Sequence, residues 1–411
     1  MVTQNKIKEV LAFIALAVML HGCGEESSIK TPENNYLLSM GQANTLLLPA
    51  VEALLIPLEA TYPEAAFIRT NAAYGVQVYR ITYKTHYRNE EITASGLVCM
   101  PLADESFPVI SFQNGTNTQH ENAPSEDPLD FNYMLLQAMA SNGYIILIPD
   151  YIGFGASDNL VHPYYQKEST TEAVIDMIHA SLELLDYSMI PAKSNENLYL
   201  MGYSQGGWAT LCTMDALEQN NQTGLTLSGV SCGSGAYDLI AMSNYVLGLS
   251  TFPGPLYLPY FVYAQQEFGA LTDPLDKYFK QPYADNIPAL FNGALSNGEV
   301  NAQLNDTIAR LLTDNMIENF QTGSEFATLR NLLTINSVTA WNTTIPLRFF
   351  HGTADTNIPS AQSVDMHHAF IQQGSDPGTV TFTDLEGYSH ETGIIPWGIA
   401  TVNWLNEILE K

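Results

Sequence analysis

The segment Gly202-Tyr203-Ser204-Gln205-Gly206 constrains this chain more than any other. It follows an apolar run, Leu198-Tyr199-Leu200-Met201, that reads as a buried strand. It leads into Gly207-Trp208-Ala209-Thr210-Leu211, which reads as the start of a helix. A serine at such a strand-to-helix turn is held in a strained backbone geometry with its hydroxyl presented above the sheet. The flanking glycines are needed where strand and helix approach too closely for a Cβ. The pattern alone is common by chance; the strand before it and the helix after it make it a constraint on the fold.

The rest of the chain supplies a matching frame. Tyr74 to Tyr83 and Ile92 to Met100 read as strands joined directly, rich in Val, Ile and Tyr. Further short apolar runs follow at Val109–Phe112, Tyr144–Ile148, Asn197–Met201, Leu225–Val230, Leu347–Phe350 and Val380–Leu385. Helical patterns alternate with the later strands at Asp130–Ala140, Glu172–Leu185, Gly207–Glu218, Ala361–Ile371 and Ile399–Leu409. This order predicts an α/β fold: a mostly parallel sheet with an antiparallel start, covered by helices, with polar loops at the strand ends. Gln42 to Glu59, Leu-rich and interrupted by Pro49 and Pro57, reads as a leading helical segment. From about 239 to 335 the alternation stops, and this stretch is expected to be an inserted helical cap.

A serine hydroxyl needs a base to take its proton, and the base needs an acid to orient it. In a sheet of this kind the chain order is serine, acid, histidine. His390, in Leu385-Glu386-Gly387-Tyr388-Ser389-His390, follows the last strand and is the preferred base; His367 and His368 compete from within a helix. Asp355, in His351-Gly352-Thr353-Ala354-Asp355, is the preferred acid, with Asp384 and Asp365 as competitors; His351 is expected to shape the turn. An oxyanion needs two N–H donors. The backbone of Gln205, and that of Thr116 in the loop Asn114-Gly115-Thr116, are expected to provide them. Asp150, after the strand ending at Ile148, is expected to serve a structural turn.

Taken together, Gln113–Thr116, Pro149–Gly155, Gly202–Gly207, His351–Asp355 and Gly387–His390 resemble the α/β-hydrolase superfamily, and most closely its secretory lipase/esterase branch. The helix Ala173–Ala180 is similar to one preceding the nucleophile turn in that branch, with His179 where Arg is more usual; Asn114 stands where relatives often carry His. The resemblance, running from about Ile92 onward, implies a serine esterase or lipase forming an acyl-enzyme on Ser204. It implies a small-molecule or lipid-like ester as substrate. A serine peptidase of the same fold shares every such residue, and a surface lipoprotein that only binds its target is the non-enzymatic alternative.

Composition bears on partners and location. Lys and Arg number 15 against 43 Asp and Glu, a formal charge of −28, so the field repels nucleic acid and anionic lipid surfaces. Lys6 and Lys8 precede an apolar run from Val10 to Leu20, the parts of an export signal expected over residues 1–22. The run is shorter than the roughly 20 residues a bilayer span takes. Leu20-His21-Gly22-Cys23 resembles a bacterial lipobox, which implies lipidation of Cys23, a membrane anchor and a polar tether over 23–40 ahead of the hydrolase domain at 41–411. The other cysteines, Cys99, Cys212 and Cys232, are odd in number and are expected as buried thiols. No Cys/His spacing fits a zinc site, so neither a metal nor a cofactor is expected.

Overall fold

The structure is a computed structural model that describes residues 34–409. The expected export signal, Cys23 and the first part of the tether lie outside the described residues. Nine strands form one sheet in the order β1-β2-β3-β5-β4-β6-β7-β8-β9. They are β1 (Leu37–Leu46), β2 (Val76–Tyr87), β3 (Glu90–Pro101), β4 (Ser106–Gln113), β5 (Ile145–Pro149), β6 (Lys193–Tyr203), β7 (Thr226–Gly233), β8 (Leu347–Gly352) and β9 (Val380–Leu385). The first three strands and the β3–β5 pair are antiparallel, and every pair from β5 through β9 is parallel. The α/β fold expected from the sequence is the fold observed.

The sheet is buried on both faces, as period-2 alternation shows within β6. Leu198 and Leu200 point into one apolar cluster, whereas Tyr199 and Met201 point into the other. The second cluster is closed by α1 (Leu48–Thr61), α2 (Ala66–Thr70), α3 (Phe131–Ala140) and, at the end of the chain, a helix over Ile394–Leu409. The first is closed by α4 (Lys167–Leu185) and α5 (Gln205–Gln219). Each fully buried large apolar side chain, such as Trp208 or Phe349, contributes about 1.5–3 kcal/mol of transfer free energy.

Between β7 and β8 the chain runs through seven helices: α6 (Leu239–Leu247), α7 (Tyr257–Glu267), α8 (Tyr283–Leu290), α9 (Asn297–Gln303), α10 (Ile308–Leu311), α11 (Asp314–Asn319) and α12 (Ala327–Asn336). After β8 come α13 (Ala361–Gln372) and, after β9, α14, the terminal helix (Ile394–Leu409). The inserted helices share the first cluster, through Phe261, Leu311 and Leu329. They are tied to the hydrolase frame where the Trp208 indole N–H donates to the Asn336 carbonyl at 2.8 Å.

One expectation is corrected. The tether ends sooner than residue 40, and the leading segment is not helical from Gln42, because Leu37–Leu46 forms strand β1. This edge strand is mostly exposed, so it lacks the apolar alternation that marks a strand in sequence. Its pairing with β2 holds it, and so does Glu183 on α4, whose carboxylate accepts the backbone N–H groups of Asn35, Tyr36 and Leu37 at 2.7, 3.0 and 2.6 Å. Helix α1 begins only at Leu48, with Pro49 in its first turn, where a missing N–H costs nothing, and Pro57 inside it. Replacing Glu183 by Ala is expected to lower unfolding free energy by about 1.5–3 kcal/mol, the range for hydrogen bonds to a charged group. Urea melts together with amide exchange confined to β1 would check it.

Candidate active site

Every residue picked out for chemistry lies at the C-terminal edge of the parallel strands, or in the loop that follows. Ser204 follows β6, Asp355 follows β8 and His390 follows β9. The Ser204 backbone has φ 60° and ψ −123°, a conformation L residues rarely adopt. Two close approaches impose it. A Cβ on Gly206 would lie 2.0 Å from the Gln113 carbonyl oxygen, and one on Gly202 would lie 2.3 Å from the Gly206 carbonyl oxygen. The Ser204 N–H is fixed by the Gly233 carbonyl at 2.8 Å.

The structure brings three of the predicted residues into one hydrogen-bonded line. The Ser204 hydroxyl donates to His390 Nε2 at 2.8 Å, and His390 Nδ1–H donates to Asp355 Oδ2 at 2.6 Å. The side chains of His390 and Asp355 are 7 % and 0 % exposed, so the second bond is shielded from water. Burial alone would raise the Asp355 pKa. Hydrogen bonds from His351 and His390, with the positive potential of His390 and the Ile358 N–H, outweigh it and hold the carboxyl well below the usual range. Asp355 Oδ1 also accepts from the backbone N–H groups of Asn357 and Ile358, each at 2.9 Å.

His351 does shape this turn. Its Nε2–H donates to the Ile358 carbonyl at 2.9 Å and lies 3.3 Å from Asp355 Oδ2, while its Nδ1 accepts from the Ser363 hydroxyl at 2.7 Å. The competitors stay away from the serine: His367 bonds the Val380 carbonyl from α13, and Asp384 points out of β9 into solvent. Asp150 is buried, taking the Ser95 hydroxyl at 2.5 Å and the Ser125 N–H at 2.8 Å. It thus ties β3, the β5 end and the loop before α3.

Gln205 opens α5, so its N–H has no partner within the helix. The loop after β4 passes directly over the serine, where a Cβ on Gly115 would lie 3.8 Å from the Ser204 Cβ. Thr116 follows. Its hydroxyl pairs with the Tyr164 hydroxyl at 2.8 Å and its carbonyl accepts from Asn297 of α9 at 2.7 Å, leaving its N–H outside the loop's own hydrogen bonds.

Two features were not legible in the sequence. His162 is fully buried; its Nδ1–H donates to the Ile152 carbonyl at 2.8 Å and its Nε2 accepts from the Gln205 side-chain amide at 2.8 Å. Burial lowers its pKa to about 4, against the opposing pull of the Ile152 carbonyl, so it is a neutral anchor at neutral pH. The second is a cavity of about 800 Å3, its open mouth included, that begins at Ser204. Its walls are almost wholly apolar and include Tyr165, Leu239, Met242, Val246, Phe261 and Leu311, drawn mainly from α6, α7 and α10. The Pro- and aromatic-rich stretch from Phe252 to Tyr263 supplies part of this wall through Phe252, Tyr257, Leu258 and Phe261; α6 and α10 carry no motif that would have announced theirs.

A family model described as secretory lipase matches residues 126–410. Among solved structures, a protein of Legionella pneumophila described as a hydrolase is 26 % identical with a TM-score of 0.80, over 91 % of this chain and 98 % of that one. The rice cell wall degrading esterase LipA from Xanthomonas oryzae, in a ligand-bound form, is 23 % identical with a TM-score of 0.78, over 92 % and 98 %. Candida antarctica lipase A in its closed state is 16 % identical with a TM-score of 0.64, over 92 % and 84 %. The last two share the fold. No curated protein sequence matches the chain.

Asp355→Asn should leave the turn in place but remove the charge that stabilises a protonated His390. A fall in kcat of about 10⁴-fold is expected, the size such a change has in a well-studied serine protease. Steady-state kinetics alongside a thermal melt would separate this from unfolding.

Proposed function

The chain belongs to the secretory lipase family, and from that premise we propose that it is a serine carboxylic-ester hydrolase with Ser204 as nucleophile, His390 as base and Asp355 as the acid that orients the base. Membership alone makes it an ester-hydrolysing enzyme. The observation that carries the finer assignment is the unbroken Ser204–His390–Asp355 hydrogen-bond line at the mouth of an apolar cavity.

His390 takes the hydroxyl proton as Ser204 attacks the ester carbonyl. The negative oxygen is met by the Gln205 and Thr116 N–H groups, at the helix start and in the loop beside the serine. The alcohol leaves with the proton from His390; water, deprotonated by the same ring, then frees the acid. The cavity's apolar wall fits an acyl chain better than a peptide, which carries an amide every few atoms that the wall cannot satisfy. This favours an ester over the peptidase alternative.

The sign of the pH dependence follows from the site. Because the Asp355 carboxyl is held below its ordinary value, its contribution to stability is complete above the unfolded value of about 3.9. That contribution is lost only as pH falls through the lower native value. The neutral His390 ring is the working form, because a protonated ring accepts no proton from Ser204. Ser204→Ala is expected to abolish turnover of p-nitrophenyl octanoate while the melting temperature holds. Wild type should favour that ester over the acetate. Turnover retained by the alanine variant would end the assignment.

The family is secretory, and we extend the proposal to location. Lys6, Lys8, the Val10–Leu20 run and Cys23 support export with a lipid anchor at Cys23. Cys23→Ser should move the enzyme from the membrane to the soluble fraction; a wild-type protein already soluble would count against the anchor.

A further inference from the structure

A cluster on the far edge of the sheet carries the donor set of a cation site. His86 stands near the end of β2, and Glu172 and Asp176, four residues apart, share one face of α4. His86 Nδ1 is 2.9 Å from a Glu172 oxygen, and one ligand atom from each of the three residues lies within 4.8 Å of the other two. Asp176 is the unusual member. It is 8 % exposed, and among the described residues no Lys or Arg pairs with it.

The neighbours point the same way. Thr85, wholly buried beside Asp176, has a hydroxyl with no hydrogen-bond partner. Among the described residues, the two neighbouring carboxylates have no Lys or Arg partner and the buried hydroxyl has no hydrogen bond.

We propose that His86, Glu172 and Asp176 bind a divalent transition-metal ion, with zinc preferred. One imidazole and two carboxylates form a mixed nitrogen and oxygen set with room for water as a fourth ligand. Calcium asks for six or more oxygens, which these residues do not supply. Ligand atoms around tetrahedral zinc lie roughly 3.3 Å apart at the usual bond lengths. The His86–Glu172 spacing of 2.9 Å is a little shorter than that and no spacing exceeds 4.8 Å, and the half-exposed His86 and Glu172 side chains can re-aim to meet it. No local sequence spacing announces the site, because His86 and Glu172 are 86 positions apart.

Its role would be structural. The register of β2 with β1 ends at Leu37 opposite Tyr83, so the last residues of β2 pair along one edge only. A metal ion would fasten that free end to α4. None of the three residues lines the cavity at Ser204.

The test titrates zinc chloride into chelator-treated full-length protein by calorimetry, followed by thermal melts. One site per chain and a higher melting temperature are expected, with little change from calcium or magnesium. His86→Ala and Glu172→Gln, both half-exposed and compatible with folding, should each weaken zinc binding by at least about tenfold. Undiminished binding by both variants would place zinc on other histidines and overturn the proposal. Absence of binding to the wild type, or calcium binding as tightly as zinc, would also overturn it.

Discussion

The left-handed backbone at Ser204 is the constraint around which the rest of the site is arranged. Such a conformation costs about 1–3 kcal/mol and persists only where the surroundings over-determine it. Here the surroundings are β4, β6, β7 and α5, brought so close that two positions tolerate no side chain beyond hydrogen. The Gly233 carbonyl on β7 then pins the serine N–H. Strain at one residue is thus supported by the packing of the central sheet. In return, the serine hydroxyl and the first free N–H of α5 emerge side by side.

Charge placement completes the arrangement. Three carboxylates, Asp355, Asp150 and Asp176, have side chains largely withdrawn from water, and their surroundings treat them differently. Asp355 meets two histidines and two backbone N–H groups and stays ionised well below the usual range. Asp150 meets one hydroxyl and one N–H, and burial still raises its pKa. Asp176 meets an unpaired hydroxyl and another carboxylate, and is raised as well. The number of donors aimed at the charge decides the outcome, as expected where desolvation is severe.

Much of the fold was legible in the sequence because most strands are short apolar runs ended by turn residues, and the helices between them keep a clear period. The Ser204 turn and the Asp355 and His390 that line up with it were legible because each sits beside a strand end with a recognisable neighbour. Strand β1 was not, since an exposed edge strand needs no apolar alternation; its order comes from Glu183, nearly 150 residues away, which no local pattern reveals. The inserted helices hid their function for a related reason. Met242, Val246 and Leu311 look like ordinary core residues in sequence, and only their shared orientation toward Ser204 makes them a cavity wall. His162 was silent too, because a buried histidine is defined by its two partners, Ile152 and Gln205, rather than by its neighbours in the chain.

The tie between the insertion and the loop over the serine has a consequence for how such proteins can diverge. Asn297 holds the Thr116 carbonyl, the Thr118 hydroxyl bonds Leu295 and Asn297, and the His120 N–H bonds Gly293. The segment that shapes the cavity therefore also scaffolds the loop that lies over Ser204. Selectivity and rate are not separate modules here. A graft of this segment from a relative would carry a new pocket and a new setting of the loop over Ser204 in the same piece of chain, so variants with altered chain-length preference inherit altered turnover unless the residues at 293–297 travel unchanged.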